Sequence, residues 1–172
     1  MRLKAANNRR NIHEEEEVAH ALKNEAEAGE YFTKAAKTCK PSGIVLYHNQ
    51  RRTVISILKE AAEKNNRLFI EKDLSLLQEE GIGTSRFENR VPPWLEAVFS
   101  GENKNGSVIY LREFHLAVDR VKNDAMNLLI NMQVEGLEFP QGTLVVLGVL
   151  DTDDVTSVIR KAHSVTFYRS VE

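Results

Sequence analysis

A chain of 172 residues, 42% of them hydrophobic, buries one good core, and its formal net charge of −2 excludes a globally basic nucleic-acid binder while leaving room for a local patch. One cysteine, Cys39, excludes an internal disulfide and fits a reducing compartment. No stretch approaches the roughly eighteen apolar residues of a membrane span, and no apolar N-terminal segment has the form of a signal peptide, so the expectation is a soluble, cytoplasmic protein.

Residues 1–11 are polar and read as a solvated arm, with Arg2, Lys4, Arg9 and Arg10 as its basic members. A helix is expected from Asn11, with Glu14 to Glu17 complementing the dipole at its first turn. Val18, Ala21, Leu22, Ala28, Tyr31, Phe32, Ala35 and Ala36 give a narrow apolar stripe, interrupted near Gly29, so one long or two short helices are expected, ending at Lys40-Pro41-Ser42-Gly43. Residues 1–41 are therefore expected to form an arm and helical extension, and residues 42–172 an α/β domain.

From Gly43 to Leu76 the pattern is a strand (Ile44, Val45, Leu46), an eight-residue polar break and a helical face (Val54, Ile57, Leu58, Ala61, Ala62). A second strand follows at Leu68, Phe69 and Ile70. Such a unit forces parallel strands and a right-handed crossover. Where this architecture binds phosphate, the break is rich in glycine; here it contains His48-Asn49-Gln50-Arg51-Arg52-Thr53. Gln78 to Arg90 reads as a surface loop, and Val91-Pro92-Pro93-Trp94-Leu95 as the start of a short helix. Val108 to Leu111 forms a third strand, followed by a helix carrying Val121, Ala125, Leu128, Leu129 and Met132. A small hairpin over Val134 to Gly142, a fourth strand at Leu144 to Val149, a short helix at Val155 to Ala162 and a fifth strand at Val165 to Phe167 complete the series. The alternation predicts a three-layer αβα fold with a five-stranded, mainly parallel sheet.

Over Gly43 to Tyr168, roughly three quarters of its length, the chain resembles the core of an AAA+ ATPase, nearest the MoxR-like branch. The landmarks are the strand Ile44 to Tyr47, the segment Val91-Pro92-Pro93-Trp94-Leu95, the strand and exit from Gly106 to Ala117, the helix face Asn123 to Met132, and the hairpin Val134 to Gly142. The resemblance implies a P-loop NTPase-like strand order of 5-1-4-3-2, without the helical lid that normally follows.

The departures fall on the chemistry. The lysine and Ser/Thr of the family's phosphate loop align with Val54 and Ile55, its metal-holding aspartate with Arg112, and its sensor asparagine with Leu150. The glutamate that polarises water is matched by Glu113 alone. No arginine aligns with the family's finger; Arg160 and Arg169 are both poorly placed. The expectation is a pseudo-ATPase with no catalytic residues, cofactor, metal or small-molecule substrate, whose vestigial site comprises His48, Arg51, Arg52, Val54, Ile55, Arg112, Glu113 and Leu150. Arg112 is expected to pair with Glu71 or Asp151 and hold that site closed. Such a domain serves as a protein-interaction or assembly module, self-association included. A second reading is a nucleic-acid-associated protein of replication, mobile-element or defence type, using Arg9, Arg10, Arg51, Arg52 and Arg90. A third is an ATP-binding protein with an unorthodox site. Arg51 and Arg52 are the candidates for holding an anion by charge. The other histidines, His13, His20, His115 and His163, are scattered and make no metal set.

Overall fold

The structure, a computed structural model, describes residues 20–78, 82, 91–150 and 163–167. Eight strands and three α-helices are seen there: β1 (His20–Leu22), α1 (Glu25–Ala35), β2 (Ser42–His48), α2 (Arg51–Lys64), β3 (Leu68–Asp73), β4 (Ser107–Arg112), α3 (Asp119–Asn131), β5 (Gln133–Val134), β6 (Leu137–Glu138), β7 (Thr143–Val149) and β8 (His163–Phe167). Six of the strands form one sheet in the order β1-β8-β2-β7-β4-β3, with every neighbouring pair parallel. The sheet thus has six strands among the described residues, where five were expected.

The additional strand comes from the segment expected to be wholly helical. His20–Leu22 pairs with Val165–Phe167 at one edge of the sheet. The helix starts only after Asn24, whose Oδ1 accepts the Glu27 N–H at 2.9 Å while Glu27 Oε2 accepts the Lys23 N–H at 2.7 Å. These two caps fix the boundary more firmly than the apolar stripe does, since the stripe runs through it. Ala28, Phe32 and Ala36 are buried against α2 and the sheet. Residues 20–41 therefore share a sheet and a core with the rest of the chain. The polar arm, the helix start at Asn11, most of the loop at 78–90, the helix at 155–162, and Arg9, Arg10, Arg90, Asp151, Arg160, Tyr168 and Arg169 lie outside the described residues.

Strand alternation sorts the core into two layers. Ile44 and Leu46, Val108 and Tyr110, and Leu144 and Val146 face α1 and α2. Val45, Ile109, Leu111, Val145 and Leu147 face α3 and the segment around Trp94. There Pro93–Leu95 makes a single 3-10 turn that buries Leu95, and Trp94 Nε1 donates to the Ile82 carbonyl. The small hairpin is present as β5 and β6, joined through Glu135 and Gly136, both at positive φ as a two-residue turn of this hand requires. Among the described residues no helix is long and apolar enough to cross a membrane.

Candidate functional site

The C-terminal ends of β2, β4 and β3 meet the head of α2, the place where parallel α/β sheets carry their ligands. The connection from β2 to α2 consists of Asn49 and Gln50 only. It is much shorter than the polar break suggested, because Arg51, Arg52 and Thr53 already belong to the helix. None of residues 48–53 has a positive φ, so the turn has no loop that wraps an anion. Val54 and Ile55 consequently lie one turn inside α2. Val54 is fully buried in the α1–α2 layer, and Ile55 packs at its margin. Neither position faces the end of the sheet where a phosphate would approach. Leu150 follows directly on β7 and is half-buried.

Beneath the head of α2 lie two buried side chains, His48 and Tyr110. His48 is 3% exposed. Its Nδ1 accepts the Gln50 N–H at 3.2 Å, which leaves the ring proton on Nε2, 3.2 Å from the Tyr110 hydroxyl. Burial, with Arg51 and His115 adding repulsion, lowers the His48 pKa to about 4. Burial likewise raises the Tyr110 phenol, and nearby Glu113 adds to the effect. The Tyr110 ring crosses β7 at Gly148, where a Cβ would stand 2.6 Å from its hydroxyl oxygen.

The charged half of the site is an ion-pair network. Arg112 ends β4 in register with Asp73 on β3. Its Nε lies 2.8 Å from Glu71 Oε1, one terminal nitrogen lies 3.3 Å from Asp73 Oδ2, and the other 3.8 Å from Glu113 Oε1. The expected partner Glu71 is therefore in place, and Asp73 joins it. Asp73 also accepts from the Ser75 N–H and hydroxyl, which caps the turn after β3. Glu113 is bent into the left-handed region, at φ 60° and ψ 35°, and its side chain is 9% exposed. Its Oε2 lies 3.3 Å from Arg51 Nη2 and 3.7 Å from His115 Nε2. Among the described residues no group of three or more His, Cys, Asp or Glu side chains could hold a metal ion; the three acids around Arg112 enclose its guanidinium.

The structure thus brings His48, Arg51, Arg112 and Glu113 together. Arg52 is exposed on the outer side of the helix, and Val54, Ile55 and Leu150 take no part in the contacts. Sequence reasoning had not assigned Tyr110, Asp73, His115 or Gly148 to the site. Alternation along β3 offered a signal for the acids, since Glu71 and Asp73, two apart, share a face.

The six-stranded parallel sheet with helices on both faces is an α/β fold that resembles the core of AAA+ ATPases. The solved structures it resembles include a point mutant of RuvB, an AAA+ ATPase, from Thermotoga maritima, at TM-score 0.50 and 11% identity over 83% of this chain and 42% of that one. A second RuvB point mutant from the same organism gives TM-score 0.48 and 12% identity over 82% and 41%. The chain spans about two fifths of the length of these proteins. No protein-family model matches it, and neither does any curated protein.

Proposed function

We propose that this chain is a catalytically inactive AAA+-like domain, nearest the MoxR-like branch, that works as a protein-interaction or assembly module. The observation that carries the reading is the two-residue connection between β2 and α2. A phosphate-binding loop needs several backbone N–H groups turned toward one point, plus a lysine at the head of the helix. Asn49 and Gln50 supply neither, and Val54 in the core is no substitute. Arg112 among Glu71, Asp73 and Glu113 supports the same reading, because the acids available to a divalent cation are engaged by a guanidinium. For the nucleic-acid reading, Arg51 is ion-paired within the chain and Arg52 is exposed, while Arg9, Arg10 and Arg90 lie outside the described residues.

Loss of the lysine and the metal ligand removes two charge-assisted contacts of about 1.5–3 kcal/mol each, or about a hundred-fold and more in affinity. Calorimetry is expected to find no Mg-ATP binding at millimolar concentration and no hydrolysis. Micromolar, Mg-dependent binding would overturn the inactive assignment. Solution mass, measured alone and with candidate partners, tests the assembly role, and a strict monomer that engages none of them would count against it.

A further inference from the structure

We propose that the Glu113 carboxylate is the chain's own occupant of the anion position at the head of α2, a built-in ligand that keeps external phosphate out. The inference rests on the inactive reading above and deepens it. The head of α2 is strongly electropositive for a helix start. It has no acidic residue in its first turn and no side-chain cap, and its first two residues are Arg51 and Arg52. The helix dipole adds to the same sign, so the position calls for a negative charge. Arg51 Nη2 also lies 3.5 Å from His115 Nε2, which assembles an imidazole on the same spot.

The negative charge arrives from β4. Glu113 alone among the residues of this site has a left-handed backbone, a conformation that costs a non-glycine residue energy and that persists where the surroundings impose it. The bend turns its carboxylate back under cover, among Arg51, His115 and Arg112 at 3.3, 3.7 and 3.8 Å. These contacts are long, and Oε2 is buried without a hydrogen bond, so the guanidinium charges of Arg51 and Arg112 hold it in place rather than a fitted set of donors. His115 Nδ1 is buried without a partner as well. A cluster with donors to spare around one carboxylate is suited to a compact oxyanion once the carboxylate is gone.

The test uses the full chain and inorganic phosphate, with sodium chloride at matched ionic strength as the control. The wild type is expected to show no phosphate-specific change in Tm. Glu113→Ala is expected to gain about 2–4 °C at about 50 mM phosphate, the shift given by a dissociation constant on the order of 10 mM. Adding Arg51→Ala to that variant should abolish the gain. A folded Glu113→Ala that ignores phosphate, or a wild type that responds as strongly, overturns the proposal. If Glu113→Ala is unfolded in chloride, refolding in phosphate supports it and failure to refold overturns it. Mg-ATP binding by the wild type would instead strike at the inactive reading, so the two failures are told apart.

Discussion

His48 is a buried imidazole that must stay neutral, because a protonated Nδ1 could no longer accept the Gln50 N–H. Its folded-state pKa of about 4 lies below the ordinary 6.5, so the unfolded chain takes up the proton first as pH falls. The neutral ring's contribution is full above about pH 6.5 and is lost progressively toward pH 4, a loss of up to about 3 kcal/mol. Urea melts between pH 7 and 4 should show that slope in the wild type and a shallower one in His48→Leu; equal slopes would refute the role assigned to His48. Arg112 acts at the same scale through charge. Arg112→Asp places a further carboxylate among Glu71, Asp73 and Glu113 and leaves all three without their guanidinium. Arg112 and Glu71 are themselves about one-third exposed, so the cost is expected to be about 1–2 kcal/mol rather than that of a fully buried pair. Thermal melting should show this loss, partly recovered by added salt, with no ATP hydrolysis appearing. Unchanged stability would remove the structural role.

At the scale of elements, α2 shows how an alignment of motifs and the physics of a helix can disagree. A gapless comparison sets Val54 where a phosphate-binding lysine belongs, yet the residues at the head of the helix are Arg51 and Arg52. Val54→Lys, which mimics the missing motif, should therefore bury an ammonium between α1 and the sheet at a cost of about 3 kcal/mol or more, and create no nucleotide site. A Val54→Lys protein as stable as the wild type would mean that this face of α2 is not a core face. The helix itself was legible from the spacing of Val54, Ile57, Leu58, Ala61 and Ala62, all buried, and β2, β4 and β7 from their uninterrupted apolar runs. The start of the helix was not legible, because the polar residues Arg51 to Thr53 read equally well as loop or as a solvated first turn. Nor was β1, since a three-residue strand leaves no period to detect and the helical stripe continues through it. In the site, paired charges such as Arg112 and Glu71 could be guessed from strand ends. The Tyr110–His48 contact could not be, because it depends on Gly148 of a third strand leaving room for the ring.

On the scale of the whole molecule, the first strand of the sheet among the described residues depends on the last. Among the described residues β1 has one neighbour, β8, and Leu22 is in register with Phe167. β2 likewise keeps one flank open until Leu46 can meet Val165. A chain leaving the ribosome can lay β2, β7, β4 and β3 together and pack α2 and α3 around them, but β1 has no template until β8 has emerged. Closing so long a loop is slow, and an unpaired flank at the middle of a sheet invites pairing with other chains while it lasts. The β8 seam is therefore the point at which birth of this domain is most exposed to misassembly, and a chain stopped short of residue 163 would carry that open flank permanently.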